Sequence, residues 1–89
     1  MDVAELSKEE FAALAKEIYY RDIRPQVIDE HHGKFLVLDV ESSDYEIDAD
    51  ELAAIDRMAA RRPSGRRFMF RVGYRATYSA GGGLTPDLP

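Results

Sequence analysis

Residues 33–74 read GKFLVLDVESSDYEIDADELAAIDRMAARRPSGRRFMFRVGY, and this stretch decides the fold. Its first part, residues 34–41, alternates Leu36 and Leu38 with Phe35 and Val37, which predicts a β-strand with apolar residues on both faces. The segment 42–44 (Ser-Ser-Asp) is typical of a turn, because serine and aspartate side chains hydrogen-bond to nearby backbone groups. Residues 45–47 then predict a short returning strand, so the two strands form a hairpin.

A capped helix and a third strand follow the hairpin. Asp48 is a favourable N-cap residue, and Glu51 three residues later completes a pair of the capping-box type. Apolar residues then recur at helical spacing and predict a buried stripe, before Pro63 and Gly65 end the helix: Leu52, Ile55, Met58 and Ala59. Residues 67–74 predict the third strand, in which Gly73 leaves a gap that a neighbouring group can fill.

The chain before residue 33 predicts one amphipathic helix. Ser7 and Glu10 fit a capping box at its start. The apolar stripe that follows comprises Phe11, Leu14, Ala15, Ile18 and Tyr19. Pro25 disfavours helical geometry at the preceding residue, so the helix is expected to end near Ile23 and residues 26–32 to form a polar connector.

These elements predict an α+β domain with the order α-β-β-α-β. A hairpin followed by a right-handed helical crossover gives a three-stranded, antiparallel or mixed sheet of order 2-1-3, with two helices on one face. The opposite face would then stay apolar, so a second copy or a partner protein is expected to cover it, and a homodimer is the simplest arrangement. We expect one domain over residues 1–78 and a flexible Gly/Pro-containing tail over residues 79–89.

The composition agrees with a single small domain and shows a strong charge asymmetry. The chain has 89 residues and no cysteine, which excludes disulfides and thiolate metal sites. Residues 1–56 carry a net charge of −11, whereas residues 57–89 carry +6. The simplest interpretation is that the two halves lie side by side and neutralise each other. The sequence contains neither a long apolar run nor a secretory leader, so we expect a cytoplasmic protein without membrane contact.

None of the candidate catalytic or metal sites has suitable spacing. The acidic cluster could supply oxygen ligands, but it lacks the EF-hand pattern, and some of its members serve as turn or cap residues: Asp39, Glu41, Asp44, Glu46, Asp48, Asp50 and Glu51. His31 and His32 are adjacent and would face opposite sides of an extended chain. The serines occupy turns or the tail and lack any nucleophile motif: Ser42, Ser43, Ser64 and Ser79. We therefore expect no catalytic residues, no metal, no cofactor and no enzymatic activity.

Arginines interleaved with aromatic residues form the best candidate binding region: Arg66, Arg67, Phe68, Phe70, Arg71, Tyr74, Arg75 and Tyr78. Arginine binds phosphates and aromatic rings stack on bases, so nucleic-acid binding is one interpretation. The net charge of −5 argues against it. Arginine and tyrosine are also enriched at protein interfaces, which favours a protein partner.

The strings GKFLVLDVESSDYEIDADELAAIDRMAARRP and FRVGY resemble a family of short uncharacterised bacterial proteins. Its members show a GKFVAIDVESGDYEI segment, a helix, RRP and an RVGY strand, and the resemblance covers residues 11–78. Such proteins are often encoded beside a retropepsin-like aspartic protease or a toxin-like gene, so the resemblance implies an antitoxin or adaptor role. It supplies no catalytic residues. This chain has Ser43 where the family often has glycine, so the hairpin turn is expected to differ.

The sequence thus favours a non-enzymatic interaction module that pairs with itself or with a neighbouring gene product. The alternative is a small nucleic-acid-binding regulator that uses the arginine-rich half. The residues expected to contact a partner are Phe70, Arg71, Val72, Tyr74, Arg75 and Tyr78.

Overall fold

The computed structural model describes residues 3–75 and 85–86 of the chain. A 3-10 turn (Val3–Glu5) leads into helix α1 (Lys8–Ile18), a π-helical turn (Tyr19–Ile23) and helix α2 (Arg24–His31). Strands β1 (Phe35–Asp39) and β2 (Tyr45–Asp48) follow, then helix α3 (Glu51–Arg61) and strand β3 (Arg67–Arg71). Two short strands, β4 (Tyr74–Arg75) and β5 (Thr85–Pro86), complete the described elements.

Strand β1 is the centre of the main sheet. It pairs antiparallel with β2 on one side and with β3 on the other, which gives the order β2-β1-β3. Leu36 lies between Ile47 and Phe70, and Val37 lies between Glu46 and Met69. The α+β class and the sheet order predicted from the sequence are confirmed.

The helices lie on opposite faces of the sheet, so the prediction that both cover one face is wrong. Leu36, Leu38 and Phe70 belong to a core cluster with residues of α1, the π-turn and α2. Val37 and Met69, which point the other way, pack with Ala54 and Met58 of α3. The reason is the alternation of side chains along β1, because both of its rows are apolar and each needs its own cover. Among the described residues, the molecule's own helices therefore cover both faces of the sheet.

The N-terminal helical segment runs through Pro25 to His31, eight residues beyond the predicted end. Pro25 lies in the first turn of α2, where its missing N–H costs no hydrogen bond. The π-turn Tyr19–Ile23 accommodates the proline without breaking the segment. Tyr19 stacks on Phe70 with ring centroids 4.0 Å apart and anchors this turn to the sheet. The region predicted as a polar connector is therefore helical, and Val27 reaches the core.

The predicted capping box and hairpin turn are both present. Ser7 Oγ accepts from the Glu10 amide, and the Glu10 carboxylate accepts from the Ser7 amide. In the turn, Ser42 Oγ donates to Asp39 Oδ2 at 2.6 Å and accepts from the Asp44 amide at 3.1 Å. Ser43 has a φ of +66°, the left-handed region that glycine occupies without strain. The side-chain hydrogen bonds of Ser42 thus define the turn, and the residue that follows, Ser43, is strained.

Helix α3 begins later than predicted. Its N-cap is Asp50, whose carboxylate accepts from the Leu52 amide, whereas Asp48 ends β2 and accepts from the Asp50 amide. The buried face of the helix also differs from the predicted stripe. Ala54 and Met58 are buried, but Leu52 is 67% exposed. The prediction of Asp48 as the N-cap is wrong. Asp48 and Asp50 both suit an N-cap position, so the local sequence does not distinguish them.

The third strand is shorter than predicted, because Val72 and Gly73 form a turn before β4. Gly73 has a φ of +87°, and the His32 ring lies where a Cβ would project. The predicted gap at Gly73 is thus filled by His32. Within the predicted tail, Thr85–Pro86 pair with Tyr74–Arg75, so these two residues lie in a strand. The other tail residues are outside the described part of the chain.

A search of the helices in residues 3–75 found none with the length and apolar character that crossing a membrane requires.

Replacing Ser43 with glycine should stabilise the fold. An L-residue in the left-handed region costs about 1–2 kcal/mol, and glycine removes that cost while losing part of the gain to its freer unfolded chain. We expect S43G to raise the free energy of unfolding by about 0.5–1 kcal/mol in urea titrations. As a control, S42A should lower it by about 1–2 kcal/mol, because it removes both hydroxyl hydrogen bonds. An unchanged or lowered midpoint for S43G would contradict the turn geometry.

Candidate functional site

The arginines of α3 pair with the acidic residues of the hairpin. Arg57 binds Glu46 at 2.8 Å and Asp48 at 2.9 Å. Arg61 binds Glu46 and Asp44, and Arg62 binds Asp44 at 2.8 Å. The acidic and basic halves therefore neutralise each other along this face, as the simplest interpretation of the charge asymmetry predicted.

These ion pairs hold the carboxylates in their charged form. The hydrogen bond from Arg62 lowers the pKa of Asp44, and the hydrogen bond from Arg57 lowers the pKa of Glu46. The pKa of Asp48 is lowered first by the Asp50 amide and then by Arg57. The acidic residues near α3 thus serve as ion-pair and turn partners. Among the described residues, no three His, Asp or Glu side chains come together in a way that could hold a metal ion.

Two of the same arginines also cover the outer edge of β2. The Asp44 carbonyl accepts from the Asp39 amide, so backbone groups at even positions of β2 point toward β1 and those at odd positions point outward. Arg57 donates to the outward Ile47 carbonyl at 2.7 Å, and Arg61 donates to the outward Tyr45 carbonyl at 3.3 Å. Side chains from α3 therefore occupy the positions where another strand would pair.

Among the described residues, no side chain covers the outer edge of β3 in this way. The Val72 amide donates to the Lys34 carbonyl, and the Arg66 carbonyl accepts from the Val40 amide. Even positions of β3 therefore face β1, and the amides and carbonyls of Arg67, Met69 and Arg71 point away from the sheet. Within residues 3–75 and 85–86, no strand pairs with the outward groups of Arg67 and Met69. After Arg71 the chain turns at Val72–Gly73, and β4 contacts this end of β3. We call the five residues of β3, with this row of outward groups, the β3 edge.

The side chains beside the β3 edge form a row on the α3 side of the sheet. Arg67, Met69 and Arg71 alternate with Phe68 and Phe70, which point to the opposite face. Helix α3 packs mainly on β1 and β2, so it leaves this row partly exposed.

Arg71 is held in place by its neighbours. Its guanidinium lies 4.3 Å from the Tyr74 ring centroid and 5.3 Å from that of Phe35, and its Nε donates to the Gly33 carbonyl. These contacts orient Arg71 without neutralising it.

The structure separates the six residues that the sequence suggested for partner contact. Phe70 and Val72 are 0% exposed and belong to the core, so they were wrongly chosen. The alternation of β3 places Phe70 under the N-terminal helical segment. Arg71 and Tyr74 are partly exposed, and Arg75 is exposed. Tyr78 lies outside the described residues. Met69, which the sequence reasoning missed, lies at the centre of the β3 edge.

Most arginines of the basic half are engaged within the molecule. Arg66 donates to the carbonyls of Val3 and Leu6 and lies 4.0 Å from the Phe11 ring centroid. Arg67 donates to the Arg62 carbonyl at 2.8 Å. With the ion pairs of α3, this engagement leaves few arginines directed toward a nucleic-acid backbone.

Asp39 is the only buried charged residue among those described, with 2% of its surface exposed. Its Oδ2 accepts from the Ser42 amide and hydroxyl, whereas Oδ1 has no hydrogen-bond partner in the described chain. Oδ1 lies against Gly65, where a Cβ would overlap it. Both residues line a cleft of about 500 Å³ with six others: Glu41, Ser42, Arg61, Arg62, Pro63 and Ser64. Asp39 therefore anchors the hairpin turn and requires glycine at position 65.

The two histidines lie apart from this cleft. His31 ends α2, and its Nδ1 is 3.3 Å from the Lys34 ammonium nitrogen. The His32 ring packs near Tyr74 with centroids 6.1 Å apart. The two side chains thus contact different neighbours and do not form a common site.

Comparisons with known proteins identify no relative. No protein-family model, no curated protein and no solved structure matches this chain.

The hairpin ion pairs predict a pH dependence of stability. Because folding lowers the pKa values of Asp44, Glu46 and Asp48, their contribution is complete above the unfolded values of 3.8 and 4.5. It is lost as the pH falls through the folded values. The urea midpoint should therefore fall between about pH 5 and pH 2, and R57Q should flatten this dependence. K8Q, which removes a charge outside the network, should leave the slope unchanged. Equal slopes for R57Q and the parent would contradict the assignment.

The contact between Gly65 and Asp39 predicts a non-additive pair of substitutions. G65A should lower the free energy of unfolding by about 1–3 kcal/mol, because the new methyl group displaces a buried carboxylate. In a D39A background the same substitution should cost clearly less, since the obstructing oxygen is gone. A double-mutant cycle in urea measures the coupling. Additive effects would show that glycine is needed at position 65 for another reason.

Proposed function

We propose that this protein is a non-enzymatic protein-interaction module that receives an extended segment of a partner at the β3 edge. The observation that carries the proposal is the difference between the two edges of the sheet. Arginine side chains bind the outward carbonyls of β2, whereas among the described residues no strand pairs with the outward groups of Arg67 and Met69.

An unpaired strand edge is a template for another strand. Its free amides and carbonyls bind an extended peptide through main-chain hydrogen bonds, and flanking side chains select its sequence. Small sheets generally protect such edges with charges, covering elements or bulges. This molecule covers the outward carbonyls of β2 but, among the described residues, pairs no further strand with β3, which supports a use for that edge.

A different protein is favoured over a second copy as the partner. The sequence favoured a homodimer because it predicted one uncovered sheet face, but the molecule's own helices cover both faces. A two-fold antiparallel pairing centred on Met69 would also place Arg67 opposite Arg71 of the other copy. Like charges directly opposite each other destabilise a strand pair.

The family resemblance suggests a first partner to test, the product of a neighbouring gene. Under that hypothesis the module acts as an antitoxin-like protein or adaptor. Nucleic-acid binding is less favoured, because Arg57, Arg61 and Arg66 already bind groups of this chain.

Site-specific photo-crosslinking in cells tests the proposal. A photoreactive phenylalanine analogue at position 69 should crosslink a defined partner, because that position lies in the middle of the β3 edge. The matched control is position 52, since Leu52 is also apolar and is more exposed, but lies on α3. We expect a specific product from position 69 and none from position 52, as judged by mass spectrometry.

A backbone block provides the second test. Proline at position 69 removes an N–H that points away from β1, so M69P should keep the sheet and abolish partner binding. M69K is the alternative if the proline variant does not fold, because a lysine at the centre of the edge opposes strand addition. Circular dichroism checks folding, and binding is measured with the crosslinked partner. No position-69 product, or unchanged binding by folded M69P or M69K, would refute the proposal.

A further inference from the structure

Among the described residues, the two arginines beside the β3 edge differ from those of α3 because neither of them forms an ion pair. Arg57, Arg61 and Arg62 all form ion pairs with hairpin carboxylates. Within residues 3–75 and 85–86, neither Arg67 nor Arg71 forms an ion pair; their side chains donate to backbone carbonyls instead.

Asp39 does not change this conclusion for Arg67. The two residues are cross-strand neighbours, but no ion pair joins them, and Oδ2 of Asp39 is used by Ser42. The Arg67 Nε is buried without a hydrogen-bond partner in the described chain, like Oδ1 of Asp39. Arg67 thus keeps its positive charge beside the edge without a carboxylate bonded to it.

We propose that the segment received at the β3 edge is acidic, with carboxylates four residues apart around a central apolar residue. This inference rests on the proposed function. In a strand paired with β3, the residue opposite Met69 faces an apolar side chain. The residues two positions before and after it face Arg67 and Arg71. Arginine binds carboxylates through charge-assisted hydrogen bonds, which are stronger than those between neutral groups.

The acidic strand β2 of a second copy cannot pair with the β3 edge. Strand β2 carries Glu46 and Asp48, so a second copy could in principle present it to the β3 edge. That contact would repeat head to tail and build an open-ended array. Arg57 and Arg61 prevent it, because they bind both the outward carbonyls and the carboxylates of β2. The covered edge thus directs the β3 edge toward an acidic segment of another protein.

Three synthetic peptides of equal length test the inference with the full chain. The acidic probe is Thr-Glu-Val-Val-Val-Glu-Thr, and the matched probes replace both glutamates with glutamine or with lysine. Fluorescence anisotropy of labelled peptides at low salt gives the affinities. We expect the acidic peptide to bind about tenfold or more tightly than the glutamine peptide, and the lysine peptide not to bind.

Variants locate the effect on the two arginines. R67Q/R71Q should bring the acidic and glutamine peptides to equal affinity. R21Q is the control, because it removes an exposed positive charge from the N-terminal helical segment and should leave the preference unchanged. If the double variant does not fold, the salt dependence of the parent replaces it. Added NaCl should then weaken only the acidic peptide.

The outcomes separate this inference from the proposed function. Equal binding of the acidic and glutamine peptides, or tighter binding of the lysine peptide, overturns the acidic preference and leaves strand addition intact. If no peptide binds while position 69 still crosslinks a partner, the acidic preference again fails alone. If no peptide binds and position 69 yields no product, both proposals fail. Preference for the acidic peptide that persists in folded R67Q/R71Q assigns recognition to other residues and overturns the inference.

Discussion

The burial of strand β1 on both faces and both edges is the constraint on which the rest of the structure depends. All five residues from Leu36 to Val40 are buried, and both of its side-chain rows need cover. Burying a large aliphatic side chain contributes about 1.5–3 kcal/mol, so neither row can be left in water without a large loss. A domain of this size satisfies the requirement by placing a helical layer on each side. Among the described residues both faces of the sheet are then covered, and its two outer strands lie at its edges.

The charge asymmetry of the sequence follows from how one of those strands is protected. An acidic hairpin and an arginine-rich helix are separated along the chain, yet the crossover brings α3 beside β2. Exposed ion pairs of this kind contribute little to stability individually. Their value here is positional, because Arg57 and Arg61 each bind a carboxylate and an outward carbonyl of β2. The ion pairs thus have two effects: they neutralise the acidic and basic halves of the chain, and they cover the β2 edge of the sheet.

Local signals in the sequence were sufficient for the hairpin, the capping box at Ser7 and the sheet order, because each depends on neighbouring residues or on a general connection rule. Predictions failed where packing chose between locally equal options. Asp48 and Asp50 are both good caps, and only the docking of α3 selects Asp50. Pro25 is compatible with a helix end or with a first turn. The assignment of Phe70 and Val72 to an interface failed because it required knowing which face each helix covers. Met69 was not among the predicted contact residues, because an unpaired strand edge is a property of the backbone that residue type does not indicate.

The open β3 edge also explains why side chains must decide what binds there. Among the described residues no strand pairs with the outward groups of Arg67 and Met69, so adding a strand there exchanges hydrogen bonds with water for hydrogen bonds with a peptide. Each such exchange contributes only about 0.5–1.5 kcal/mol and does not distinguish one sequence from another. Discrimination must come from the side chains flanking the edge, whose centre is apolar and whose two ends are guanidinium groups without a carboxylate partner among the described residues. Under the proposed strand addition, the charge of this row is the property that selects a partner, because arginine–carboxylate complementarity acts on encounter rate and register as well as on affinity.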